Sequence, residues 1–176
     1  METKNETINP TDTREFVISR ELDAPRELVF KAWSEAERLA KWWGPKGFDL
    51  GVEKFEFQPG GTFHYSMQAG DGPKIWGKFV FREIAAPEKI VFVNSFSDEN
   101  AGTTRAPFAD TWPQEMLNIL TLTEKDGKTL MTLRGAPINA TEEEVNTYHA
   151  HHDSMNQGFS GTFEQLDAYL AAEQQK

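Results

Sequence analysis

The last third of the chain carries a long apolar stripe at helical spacing, and this stripe most constrains the possible folds. Thr141 and Glu144 form a capping box at its start, in which a hydroxyl and a carboxylate bind free backbone amides. Gly158 and Gly161 interrupt good helix formers, so we expect a close approach to another element or a bend there. The stripe predicts one long C-terminal helix with a single apolar face. Its members are Val145, Tyr148, Met155, Phe159, Phe163, Leu166 and Leu170.

The middle of the chain changes to the pattern of β-strands joined by tight turns. Asp126-Gly127 supplies the positive φ angles that a two-residue hairpin needs. A strand at 14–22 and one or two short helices over 26–39, after Pro25, are expected before this region. The strands predicted in it are 48–57, 62–67, 75–84, 90–96, 114–124 and 129–135.

This order of elements predicts an α+β domain, in which the C-terminal helix covers one face of an antiparallel sheet. We expect residues 13–176 to form a single domain. Residues 1–12 are polar with nothing to bury, which predicts a disordered leader. The segment 97–111 is long for a plain connection, and loops of this kind often act as lids.

Composition excludes several classes of partner and site. The chain has 28 acidic and 18 basic side chains and a formal charge of -10, which repels nucleic acid and anionic membranes. It has no cysteine, so disulfides and thiolate chemistry are excluded. No apolar run approaches the roughly 18 residues of a membrane span, and the polar N-terminus is unlike a signal peptide. We therefore expect a cytoplasmic protein. The aromatic content of 12% favours an aromatic-lined cavity.

Several motifs together identify a family resemblance that covers about residues 14–171. The motifs are A-P-R-E-L-V-F-K-A-W-S at 24–34, W-W-G-P at 42–45, F-Q-P-G-G-T-F at 57–63, G-K-F-V-F-R-E-I at 77–84 and M-N-Q-G-F-S-G-T-F-E-Q-L at 155–166. With them, the chain resembles the START-like (SRPBCC) superfamily, in its branch of homologues of the activator of the heat-shock-protein ATPase, near the calicheamicin self-resistance protein. Phe159 stands where this family usually has Trp, a change that keeps aromatic packing.

The resemblance implies the helix-grip fold, a curved antiparallel sheet wrapped around a long C-terminal helix, with two short helices after the first strand. It also implies a cavity between sheet and helix. The fold hosts many functions, and three hypotheses stay open. The first is binding of a small hydrophobic or aromatic molecule, for carriage, sequestration or a stress or resistance role. The alternatives are a cyclase- or hydrolase-type enzyme that uses a cavity histidine, and a protein-interaction module that regulates a chaperone.

Candidate cavity residues are aromatic or polar side chains within these elements. The resemblance places the segment of Trp42 and Trp43 at the cavity mouth, and two adjacent indoles cannot both face the same side. His152 falls in the helical stripe, either as a hydrogen-bonded core histidine or as an acid–base group. Trp112 either closes over a ligand or anchors the long loop. The residues expected at the cavity or its mouth are Trp42, Trp43, His64, Trp76, Asn94, Trp112, His152, Met155 and Phe159.

The sequence assigns no catalytic residue. It has no nucleophile elbow and no glycine-rich phosphate loop, so an enzyme is the less favoured hypothesis. His149 shares a helix face with His152 or Asp153, but a metal site would need a third ligand from elsewhere. We therefore expect no metal and no cofactor. The expected partner is a small apolar or aromatic molecule, and the expected state is a monomer or homodimer.

Overall fold

The computed structural model describes residues 15–176, which form an eight-stranded sheet and four helices. In chain order the elements are β1 (Phe16–Leu22), α1 (Arg26–Ser34), α2 (Ala36–Trp42), β2 (Asp49–Phe55), β3 (Thr62–Gln68), β4 (Ile75–Ala85), β5 (Lys89–Ser97), β6 (Thr103–Thr104), β7 (Glu115–Lys125), β8 (Lys128–Ile138), α3 (Glu142–Ala150) and α4 (His152–Gln174).

The strands follow the order β1-β8-β7-β5-β4-β3-β2, with β6 paired to the end of β5, and every pairing is antiparallel. The first strand therefore lies beside the last one, and β1 and β2 form opposite edges. The register shifts between Val52 and Lys54 in β2 and between Phe81 and Glu83 in β4. Such bulges bend a sheet and increase its twist.

Local turn chemistry determines the hairpin between β7 and β8. Asp126 and Gly127 have φ angles of 57° and 78°, the left-handed pair that matches the twist of two antiparallel strands. The hairpin predicted at this dipeptide is confirmed.

The core lies between the concave face of the sheet and the helices. Phe79 of β4 stacks on Phe92 of β5 with ring centroids 4.2 Å apart. On the opposite side, Phe163, Leu166 and Leu170 of α4 are buried. Burial of such apolar surface is the dominant favourable term in folding. The α+β helix-grip architecture, with two short helices after the first strand, is confirmed.

The C-terminal helical region is divided at His151, which corrects the single helix expected from residue 141. His151 has φ -102° and ψ 12°, its Nδ1 lies 2.8 Å from the Thr147 carbonyl oxygen, and its ring is 5.7 Å from that of Trp112. Gly158 and Gly161 lie inside the uninterrupted α4, and a Cβ added to either would meet no atom within 4 Å. The close approach expected at these glycines is therefore wrong, and α4 continues through both positions.

Part of the expected lid segment belongs to the sheet. Thr103 and Thr104 form β6 and pair with Ser97 and Phe96 of β5. Farther along, Phe108 is 60% exposed, and its ring contacts those of Phe96 and Trp112 at 5.7 and 5.4 Å. The predicted leader, residues 1–12, lies outside the described residues. Among residues 15–176, no helix has the length and apolar character needed to cross a membrane.

Candidate ligand-binding site

An apolar pocket of about 230 Å³ lies between β3, the N-terminal half of α4 and the connection from α2 to β2. Trp43, Met67, Met155 and Phe159 are half-buried, so their apolar surfaces remain partly open to this space. The complete lining consists of Trp43, Gly44, Pro45, Tyr65, Met67, Met155, Gly158, Phe159 and Thr162. None of these side chains is charged.

Hydrogen bonds from α4 hold the pocket mouth in place. The Gly44 carbonyl oxygen accepts from Thr162 Oγ1 at 3.1 Å and from Gln165 Nε2 at 2.7 Å. Gly44 has a φ of 102°, a conformation that glycine adopts without the steric cost of a Cβ. A Cβ at this position would also lie 3.4 Å from the Met67 sulfur. The chain that follows α2 is therefore fixed against α4.

Aromatic contacts position the Trp43 indole as one wall of the pocket. Its ring meets Phe79 edge-on at 5.2 Å and lies 6.3 Å from Phe159. Phe159 in turn stacks on Phe16 of β1 at 5.7 Å. Edge-to-face and offset contacts at these distances are favourable. The packed rings behind the wall therefore limit its collapse into the pocket.

Tyr65 contributes a polar group to the pocket. Its ring lies across Gly77 of the neighbouring strand, where an added Cβ would come within 2.7 Å of the phenol oxygen. Tyr65 is only 5% exposed, and burial raises its pKa to about 12, although the Trp43 side chain opposes this shift as a hydrogen-bond donor. The phenol is therefore protonated at neutral pH.

The structure brings three of the expected site residues to the pocket, namely Trp43, Met155 and Phe159. Trp42 is not at the mouth. It is 1% exposed, and its Nε1 donates to the Ala32 carbonyl oxygen at 3.0 Å. The two adjacent indoles do point in different directions, and only that of Trp43 reaches the pocket.

His64 and Trp76 lie on the opposite face of the sheet, which corrects their expected place in the cavity. Neighbouring strand residues point to opposite faces, and Tyr65 points to the pocket, so His64 points away from it. His64 Nε2 is 3.0 Å from the Asp98 carbonyl oxygen, and its ring stacks on Trp76 at 5.2 Å. Trp76 is paired with Ser66 and shares this outer face.

Asn94, Trp112 and His152 also lie outside the pocket lining, contrary to expectation. Asn94 pairs with Phe79 and so faces the helices, where its Oδ1 accepts from Asn118 Nδ2 at 2.5 Å. The Trp112 ring packs 5.5 Å from Tyr148 of α3 and so connects the loop to that helix. The His152 ring lies 5.5 Å from Phe16 and 5.3 Å from Tyr148.

Sequence reasoning missed six of the nine lining residues, which are Gly44, Pro45, Tyr65, Met67, Gly158 and Thr162. Tyr65 and Met67 alternate with the buried Phe63 on β3, so the two-residue period carried a signal for them. Gly158 and Thr162 lie three and seven residues after Met155, which places them on its helix face. Gly44 and Pro45 belong to the W-W-G-P segment that the resemblance places at the cavity mouth, but neither was expected among the lining residues.

The histidine cluster on α3 and α4 forms a packing contact. The rings of His149 and His152 meet edge-on with centroids 5.1 Å apart. Within residues 15–176, no group of three or more His, Cys, Asp or Glu side chains is arranged to hold a metal ion.

Comparisons with known proteins identify the family to which this chain belongs. A crystal structure of a Mycobacterium smegmatis protein is 27% identical, has a TM-score of 0.73, and matches over 92% of this chain and 94% of that one. A solution structure from Arthrobacter aurescens is 29% identical and has a TM-score of 0.75. The match covers 97% of this chain and 90% of that one. A crystal structure of a Nitrosomonas europaea protein, which is 23% identical, shares the fold with a TM-score of 0.74. The match covers 94% of this chain and 99% of that one.

No curated protein matches the chain. The family model described as Activator of Hsp90 ATPase homolog 1-like protein matches residues 23–171, which is most of the chain. The chain therefore belongs to the family of Activator of Hsp90 ATPase homolog 1-like proteins.

Proposed function

We propose that the protein binds a small apolar or aromatic molecule in the pocket beside Trp43, as a carrier or sequestering protein. The observation that carries this proposal is the lining itself, in which half-buried Trp, Met and Phe side chains surround about 230 Å³ without a charged group. Concave, largely apolar sites with a few polar groups are typical of small-molecule binding.

The volume sets the size of the molecule. A cavity of about 150 Å³ lined by apolar side chains binds benzene, so a pocket of about 230 Å³ is suited to one ring or two fused rings. Met67 and Met155 allow ligands of somewhat different shapes to fit the pocket. Their unbranched thioether side chains adapt to irregular surfaces and make favourable contacts with aromatic rings.

The positions of the histidines do not support the hypothesis of an enzyme that uses a cavity histidine as its general base. None of the chain's four histidines is among the pocket-lining residues, and a general base must lie within hydrogen-bonding reach of the proton that it removes. His64 is on the far face of the sheet, and His152 packs against Phe16 and Tyr148. Binding without chemistry is the function that these positions support best.

Substitution of Gly158 tests whether the pocket binds ligand. A side chain at this position projects into open space at the pocket wall, so Gly158→Leu is expected to lower the affinity for indane, a neutral two-ring hydrocarbon, at least tenfold. Isothermal titration calorimetry measures the affinity, and the indole N–H resonance of Trp43 reports the location of binding.

Gly161→Leu is the matched control. Gly161 also lies inside α4 with no atom within 4 Å of an added Cβ, but it does not line the pocket. Both substitutions remove a helix-interior glycine and gain about the same helix propensity. Undiminished binding to the Gly158→Leu protein, or no binding of indane to the wild type, would contradict the proposed function.

A further inference from the structure

The pocket has no charged side chain that could pair with a charged ligand. Its lining residues are all uncharged. Lys46, which follows Pro45 at the mouth, forms an ion pair with Glu164 of α4 at 2.5 Å. An ionised group that leaves water without a partner incurs a large desolvation cost. The site therefore disfavours acids and amines whose charge enters the pocket.

Most side-chain donors around the pocket already have acceptors within the protein. Thr162 Oγ1 and Gln165 Nε2 both donate to the Gly44 carbonyl oxygen. The Trp43 and Tyr65 rings meet edge-on with centroids 6.4 Å apart, and the Trp43 side chain acts on the phenol as a hydrogen-bond donor that lowers its pKa. Within residues 15–176, the Tyr65 hydroxyl has no acceptor of its own at hydrogen-bonding distance. The Tyr65 O–H is thus the donor that remains for a ligand.

The position of this donor is fixed by the sheet. Tyr65 pairs with Gly77, and the absence of a Cβ at Gly77 leaves the space that the phenol occupies. The high pKa of the buried phenol, about 12, means that the group donates rather than repels an acceptor at neutral pH. Because the pocket walls beside the hydroxyl are apolar, a ligand acceptor that reaches it gains a hydrogen bond that the rest of the lining does not offer.

We infer that the pocket selects a neutral one- or two-ring molecule that carries a hydrogen-bond acceptor, such as a carbonyl or ether oxygen, which the Tyr65 hydroxyl binds. This inference rests on the proposed function. The apolar walls supply affinity for the ring, and Tyr65 supplies the preference for the acceptor and orients the ring against Trp43 and Phe159.

An isosteric ligand pair tests the inference. In 1-indanone the carbonyl oxygen occupies the place of the exocyclic methylene of 1-methyleneindane, so the two molecules differ little in shape. Wild-type protein is expected to bind the ketone about three- to tenfold more tightly than the hydrocarbon, the range of a net hydrogen bond. Tyr65→Phe keeps the ring and is expected to abolish this ratio. Calorimetry on all four combinations isolates the pairwise effect.

The pH dependence and a charged analogue add two further readouts. The ratio in the wild type should stay constant from about pH 6 to pH 9, because the phenol does not titrate there. Indane-1-carboxylate should bind at least tenfold more weakly than the ketone. Binding of the carboxylate as tightly as the ketone would overturn the selection for neutral ligands.

The outcomes separate this inference from the proposed function. If both indane derivatives bind the wild type equally and Gly158→Leu abolishes both, the pocket binds ligands and the role of Tyr65 is wrong. If neither derivative binds the wild type, both proposals are wrong. The comparison of the two ligands on the wild type decides the role of the acceptor even if the Tyr65→Phe protein does not fold.

Discussion

At the scale of single residues, the glycines of this chain serve opposite purposes. Gly77 lies beneath the Tyr65 ring, so a Cβ there would come within 2.7 Å of the phenol oxygen and 2.8 Å of the adjacent ring carbon. Gly158, in contrast, borders open space inside a helix. The first is required by packing, whereas the second leaves the pocket open at a cost in helix propensity.

The two glycines therefore predict opposite effects on stability. Gly77→Ala should lower the free energy of unfolding by about 1–3 kcal/mol, the usual cost of overpacking a buried site. Gly158→Ala should raise it by about 0.5–1 kcal/mol through helix propensity. Urea unfolding of both variants measures these changes. An increase in stability for Gly77→Ala would show that the Tyr65 ring moves without cost.

At the scale of elements, the start of α3 is held by several groups acting on Glu144. Its side chain accepts from the Thr141 backbone N–H at 2.9 Å, while the Glu144 N–H donates to Thr141 Oγ1 at 3.1 Å. Arg105, from the loop before β7, also binds the Glu144 carboxylate. The hydrogen bond from Arg105 is the main cause that lowers the pKa of Glu144 below its ordinary value, and the hydrogen bond from the Thr141 backbone is the second.

This shift predicts how stability depends on pH. A carboxyl with a lowered pKa in the folded state contributes stability above its unfolded pKa, near 4.3 for Glu, and loses it as the pH falls through the folded pKa. The difference in unfolding free energy between wild type and Glu144→Gln should therefore be constant from about pH 7 to pH 5 and shrink in more acidic solution. Denaturant titrations of both proteins from about pH 7 to below pH 5 measure this difference in unfolding free energy.

Glu143→Gln serves as the control for this experiment. Glu143 is exposed and lies in the same first turn of α3, so its substitution changes the interaction with the helix dipole but not the contact with Arg105. A pH profile for Glu144→Gln that matched the control would show that the contact with Arg105 contributes nothing.

At the scale of the whole molecule, the fold was more predictable than the site because the two depend on information of different range. The Asp126-Gly127 hairpin and the Thr141 capping box are local and readable in the sequence. Whether a strand residue faces the pocket depends on register, and a shift of one residue exchanges the faces. His64 and Tyr65 are neighbours, yet only Tyr65 lines the pocket. The break at His151 carries no local signal such as Pro or Gly in the sequence, and the His151 ring contacts Trp112, which is far away in sequence.

The final prediction concerns the C-terminal helices as the cover of the sheet. A protein truncated after Ala140 lacks α3 and α4 and should not fold, because an antiparallel sheet with one apolar face must cover that face. Tyr148, Phe163, Leu166 and Leu170 are buried, and burial of four such side chains contributes on the order of 6 to 12 kcal/mol gross. This sum is comparable to a typical net domain stability of about 5 to 15 kcal/mol.

A second truncation, after Leu170, provides the control. It removes the mostly exposed end of α4 but keeps all four buried side chains, so it should retain a cooperative thermal transition. Circular dichroism and calorimetric melting of both truncated proteins measure the difference. The pocket depends on the same cover, because Met155, Gly158, Phe159 and Thr162 form its helical wall. A cooperative melt of monomeric protein ending at Ala140 would show that the sheet is stable alone, and that the helices contribute the binding site but not the fold.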